Sequence, residues 1–141
     1  MQFPNIVALK EGVAGVERIR ELLSVVRAGF TLLSGDDATA REVLLAGARG
    51  VISVTANVAP RAMSDMVAAA VRGDRARAEA LDAPLAALHR ELFAEANPIP
   101  AKWALEQMGL MGGGIRLPLV PLSAGQHAKV GAALRTAGVL K

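Results

Sequence analysis

Cysteine is absent from this 141-residue chain, which excludes disulfides, thiolate metal sites and a cysteine nucleophile. Tyrosine is absent as well, and aromatic residues make up only 3% of the sequence. The core must therefore be built from Leu, Val, Ile, Ala and Met. The only two histidines, His89 and His127, are far apart in sequence, so no metal site is expected. No apolar run approaches the roughly 18–20 residues needed to cross a bilayer. The start, Met-Gln-Phe-Pro-Asn, lacks the basic segment and apolar stretch of a secretory signal, which makes a cytoplasmic location the expectation. Clustered charge is also missing. The net charge is +3, and the arginines are dispersed, as in Arg72, Arg75 and Arg77. A nucleic-acid footprint would gather them on one face, so neither nucleic acid nor a membrane is expected as a partner.

What the chain does have is apolar mass. Hydrophobic residues are 52% and charged residues 21%, the balance of a compact globule. Short apolar runs alternate with helical patterns over the first half. Ile6-Val-Ala-Leu9 ends at Lys10, and Val16, Ile19, Leu22, Leu23 and Val26 then recur at helical spacing. Phe30-Thr-Leu-Leu33 is a second run, followed by Ser34-Gly-Asp-Asp37, where Asp37 is placed to cap the next helix. Val51-Ile-Ser-Val54 is a third run, leading to a helix that starts near Pro60. Continuous apolar strands alternating with amphipathic helices predict an α/β fold with a parallel sheet. The spacing of roughly 20–25 residues per unit is compact enough for a (β/α) barrel.

After Gly73 and Asp74, which suit a helix end and a new N-cap, only helices and loops are predicted. One helix spans about 75 to 94, with Pro84 expected to interrupt it. Pro100 is placed to open another, and Gly109 to close it. Ser123-Ala-Gly-Gln126 fits a capping box for the last helix, ending at Gly138. Two regions follow from this reading, 1–72 with the strands and 73–141 with helices alone. Trp103 is expected in the core, and His89 and His127 are expected to be packed or solvated without a catalytic role.

Lys10 is the residue that invites chemistry. Reactive groups in parallel β/α folds collect at the carboxyl ends of strands. A lysine walled there by Ile and Leu would find its ammonium form disfavoured by desolvation, leaving a neutral amine to attack a carbonyl. Position alone favours a lysine that snorkels into solvent. The wider text is more specific. Asn5-Ile-Val-Ala-Leu-Lys10-Glu11 resembles the sixth strand of the dihydrodipicolinate synthase and N-acetylneuraminate lyase superfamily. Leu33-Ser-Gly-Asp-Asp-Ala38 resembles the end of the seventh. Gly50-Val-Ile-Ser-Val-Thr-Ala-Asn-Val-Ala59 resembles the eighth and its exit loop. Asn97-Pro-Ile-Pro-Ala-Lys-Trp-Ala-Leu105 and Arg116-Leu-Pro-Leu119 resemble the family's helical region. The Gly-Asp-Asp at 35–37 and the run from Val51 to Asn57 point to the dihydrodipicolinate synthases within that superfamily.

The resemblance implies the last three strand–helix units of a (β/α)8 barrel followed by a C-terminal helical region. It implies that Lys10 forms an imine with pyruvate, that the derived enamine adds to aspartate semialdehyde, and that no cofactor is needed. By the same resemblance, Ile52 contacts pyruvate through its backbone, Gly35 lines the pocket near the second substrate, and Asn97 approaches from the helical region. Other roles compete at these positions. Gly35 suits a tight turn, Ile52 barrel core, and Asn97 a turn ahead of Pro98. The family's tyrosine relay, threonine hydroxyl and carboxylate-gripping arginine belong to the front half of the barrel, and none is located here. Open apolar sheet edges predict oligomerisation or pairing with a front-half polypeptide, with the helices around Val16 and Ala46 available for a subunit contact. A non-catalytic assembly partner and a 2-keto-3-deoxy sugar-acid aldolase are the competing readings.

Overall fold

The computed structural model describes residues 3–141; Met1 and Gln2, part of the start read above for a leader, lie outside the described residues. Three short strands, β1 (Ala8–Glu11), β2 (Thr31–Ser34) and β3 (Gly50–Val51), form one parallel sheet in the order β1-β2-β3. Lys10 pairs with Leu33, Glu11 with Ser34, and Ser34 in turn with Val51. Each strand is entered from a helix or turn that its own sequence closes. Gly29 and Gly47, with φ of 79° and 122°, make the left-handed turns before β2 and β3, a conformation that glycine adopts without a Cβ penalty. The third strand is shorter than the apolar run predicts. Pairing stops at Val51, and Val54 already opens a 3-10 turn over Thr55–Asn57.

The helices are α1 (Val16–Val25), α2 (Ala40–Leu45), α3 (Pro60–Val71), α4 (Arg75–Asp82), α5 (Ala86–Glu91), α6 (Ile99–Gln107) and α7 (Ala124–Thr136). Pro84 acts as predicted: a 3-10 turn over Ala83–Leu85 separates α4 from α5. Asp74 caps α4, its Oδ1 accepting from the Arg77 amide at 3.1 Å. Two capping expectations are corrected. The acceptor ahead of α2 is Asp36, whose Oδ2 takes the Thr39 amide at 2.9 Å and the Thr39 hydroxyl at 2.6 Å, while Asp37 turns inward and is buried. Ser123 does stand at the N-cap of α7, but its hydroxyl donates to Glu95 and makes no cap bond. Asp36→Ala is expected to cost about 1 kcal/mol of stability in a urea melt, where Ala38→Ser, at an exposed neighbour, should be close to neutral.

The chain divides into two compact units, and the division does not follow the boundary at 72 and 73. The first runs to Ser53 and includes Ser64–Ala80. Ile19, Leu32, Val43, Leu44 and Met66 are its buried apolar residues. In it α4 is tied to α2 by Arg75, whose Nη1 donates to both Glu42 oxygens at 2.9 and 3.0 Å. The Arg75 hydrogen bond holds the Glu42 carboxyl below the usual carboxylate value, against the opposing effect of burial. That pair therefore stabilises above the unfolded value and is lost as pH falls through the lowered one, but its exposure to solvent keeps the contribution small. The second unit comprises Val54–Met63 and Leu81–Lys141. Leu85, Leu88, Leu92, Val130 and Leu134 fill its interior, where α5 packs on α7. Trp103 is only half-buried and stacks on His127 with ring centroids 4.7 Å apart, a correction to its expected place in the core.

Among the described residues, no helix is long and apolar enough to cross a membrane.

Candidate active site

The carboxyl ends of the three strands meet at one end of the sheet, because parallel neighbours share direction. Lys10 is the penultimate residue of β1. Glu11 ends that strand, and its carbonyl accepts from the Gly35 amide at 2.6 Å. Ile52 follows β3, and its amide donates to the Ser34 carbonyl at 2.8 Å. Lys10, Gly35 and Ile52 therefore sit on three adjacent strand tips. The lysine stem leans toward β2: a Cβ placed at Gly35 would come 2.5 Å from Lys10 Cε. Asn97 belongs to the second unit, where it is exposed just before α6.

Two expectations about this end of the sheet are corrected. Lys10 is exposed rather than walled in. The reason is its position on β1, an outer strand of the sheet whose apolar flank faces solvent: Ile6 is 48%, Val7 58% and Leu9 40% exposed. Ile52, expected as barrel core, is 52% exposed, because β3 is the opposite outer strand.

Glu11 is held by its surroundings. Its Oε1 accepts from the Val13 amide at 2.8 Å and its Oε2 from Arg18 Nε at 3.3 Å. The Val13 amide is the main reason its carboxyl lies below the usual value, with Arg18 adding to it. The residue following Lys10 thus anchors the loop into α1 as a carboxylate.

Sequence reasoning missed a buried polar chain in the second unit. His89 Nδ1 lies 2.9 Å from the Thr55 hydroxyl, and its Nε2 lies 3.1 Å from Asp82 Oδ1. The carboxylate can only accept, so Nε2 carries a hydrogen, and in that tautomer Nδ1 accepts from the hydroxyl. Thr55 is fully buried, and Asp82 and His89 are buried beside it. The arrangement has the order of a nucleophilic triad without access to a substrate. It fixes the 3-10 turn after β3 to α4 and α5. The spacing of seven between Asp82 and His89, two helical turns, was a usable signal, obscured by Pro84 between them. A cleft lined by Trp103, Glu106, Ile115 and Pro121 also lies in this unit, and none of the predicted site residues faces it.

The parallel sheet and its helices place the chain among β/α folds, in which reactive groups collect at the carboxyl ends of the strands. The chain belongs to the dihydrodipicolinate synthetase family, whose model matches residues 1–137. It is 56% identical over 139 residues to 4-hydroxy-tetrahydrodipicolinate synthase of Methylococcus capsulatus, covering 99% of this chain and 48% of that protein. The corresponding synthase of Thioalkalivibrio sulfidiphilus is 57% identical over 138 residues, covering 98% and 47%. Among solved structures, the dihydrodipicolinate synthase of Acinetobacter baumannii, complexed with pyruvate, is similar with a TM-score of 0.95 and 46% identity over 99% of this chain and 48% of that one. The synthase of Aquifex aeolicus follows with a TM-score of 0.93 and 37% identity, over 98% and 47%. The chain spans about half the length of the relatives it matches.

Proposed function

We propose that this chain supplies the imine-forming lysine of a pyruvate-dependent lyase that condenses pyruvate with aspartate semialdehyde to 4-hydroxy-tetrahydrodipicolinate, a step of lysine biosynthesis. The observation that carries the proposal is the aim of Lys10 across the tip of β2, in a family whose Acinetobacter member is solved with pyruvate. The Lys10 amine attacks the keto carbon, the carbinolamine loses water, and the resulting imine withdraws electrons from the pyruvate methyl group. Loss of a methyl proton gives the enamine, whose carbon adds to the aldehyde, and the semialdehyde's own amino group then attacks the imine carbon, closing the ring and expelling the Lys10 amine. The imine is itself the electron sink, so the reaction needs no resident cofactor. The Ile52 backbone contacts the keto acid, and Gly35 lines the pocket near the second substrate.

The proton transfers need placed acids and bases, and a chain without tyrosine cannot supply a tyrosine relay. We assign those groups to the front strands of the barrel, the half of the relatives that this chain does not match, and β1 pairs with those strands or with a second copy of the chain. Exposed Ile6, Val7 and Leu9 along β1 favour such pairing, since an unpaired apolar strand edge recruits another strand. On size exclusion the chain alone should elute as an associated species, with Val7→Lys shifting it toward the monomer. A clean monomer of the unaltered chain would contradict this.

Mixing the chain with a front-half polypeptide and following pyruvate-dependent consumption of aspartate semialdehyde tests the activity. Turnover that vanishes in Lys10→Ala is expected. Turnover of a 2-keto-3-deoxy sugar acid in place of the semialdehyde would overturn the substrate assignment.

A further inference from the structure

We infer that Gly35 is a positioning residue for Lys10: the absence of a side chain at 35 is the slot that the lysine stem crosses, and the slot aims the amine. The consequence for catalysis rests on the imine reading above, whereas the geometry stands without it. Glycine is demanded at a position either for its backbone freedom or for space. Gly35 is not among the glycines with positive φ, so its backbone is open to any residue. Space is the demand. A Cβ at Gly35 would lie 2.5 Å from Lys10 Cε, 3.0 Å from the Glu11 carbonyl oxygen and 3.1 Å from Gly12 Cα. The two backbone atoms close the slot from below, and the hydrogen bond from the Gly35 amide to that same Glu11 carbonyl holds β2 against them. The lysine stem is the movable neighbour. Gly12 makes the opposite case at the same strand end, since a Cβ there meets nothing within 4 Å.

A methyl group at 35 would have to push Cε outward by about 1 Å to reach ordinary carbon contact, and the amine beyond it would swing further. Misplacing a reacting atom by that much costs on the order of 10²-fold in rate. The loss should fall on the attack itself rather than on capture of the keto acid. The slot thus tunes the direction of the nucleophile and not the affinity of the site.

Reductive trapping of pyruvate by borohydride, measured against pyruvate concentration in the unaltered chain, Gly35→Ala and Gly12→Ala, tests this. Gly35→Ala should lower the limiting rate roughly 10- to 100-fold while half-saturating pyruvate moves by less than about threefold. Gly12→Ala should match the unaltered chain. Equal limiting rates for the two variants would overturn the inference. If the unaltered chain traps no pyruvate, the imine reading fails and acetylation decides the positioning. Lys10 acetylation relative to Lys102 in the same molecules should rise at least about threefold in Gly35→Ala as the stem leaves its slot, and an unchanged ratio would overturn it. Should Gly35→Ala fail to fold, Lys10→Ala/Gly35→Ala settles the question. Recovery of the fold assigns the collision to the lysine stem, and persistent unfolding assigns it to the backbone of Glu11 and Gly12 and defeats the proposal.

Discussion

His89→Leu will destabilise the helical unit by about 3 kcal/mol in chemical denaturation. The imidazole is 5% exposed and bridges Thr55, at 0%, and Asp82, at 8%. Leucine is of similar volume, so packing loss is the smaller effect. The larger one is electrostatic: a buried carboxylate and a buried hydroxyl each lose one hydrogen bond to the imidazole, at about 1–3 kcal/mol apiece. Asp82→Leu added to His89→Leu should recover part of the loss, because removing both ends of a hydrogen bond costs less than removing one. A His89→Leu change below about 1 kcal/mol would mean that the chain of bonds does not hold the turn after β3 to the helices.

A front-half polypeptide from the Methylococcus capsulatus synthase, the half of that protein this chain does not match, should accelerate pyruvate trapping on Lys10 by at least about 10²-fold. The expectation rests on two observations. Lys10 is exposed at an outer strand, so the chain's own residues do not shield it from water. The sequence also contains no tyrosine, and each well-placed acid or base contributes about 10²–10⁴-fold. Covering the apolar flank of β1 would address the first deficit and supplied hydroxyl groups the second. Val7→Lys should weaken the acceleration by obstructing the strand edge, without touching the amine. Trapping at the same rate with and without the added half would contradict the partner assignment.

The strands were legible because each carries a continuous apolar run, and Ala8–Glu11 and Thr31–Ser34 overlap two of the three runs. Breakers were legible too: Pro84 splits its helix, and Gly109 and Gly138 take φ of 70° and 71° at helix ends. Both depend on local covalent geometry. The errors share a different origin. Whether Asp36 or Asp37 takes the cap depends on which carboxylate the inner side of the turn accepts. Ser123 abandons its capping box because Glu95, 28 residues away, offers a stronger acceptor. Exposure of Lys10 and Ile52 follows from their standing on the two outer strands, which no local pattern encodes. The lysine itself was found from motif resemblance, since position at a strand tip also fits a snorkelling side chain.

The proposed lyase chemistry requires a covalent bond between Lys10 and a keto acid. Peptide mapping after incubation with pyruvate and borohydride measures it directly, with Lys102, Lys129 and Lys141 in the same molecule as internal references. A reduced adduct confined to the peptide containing Lys10 is expected. An adduct spread evenly over all the lysines, or absent from Lys10, would contradict it.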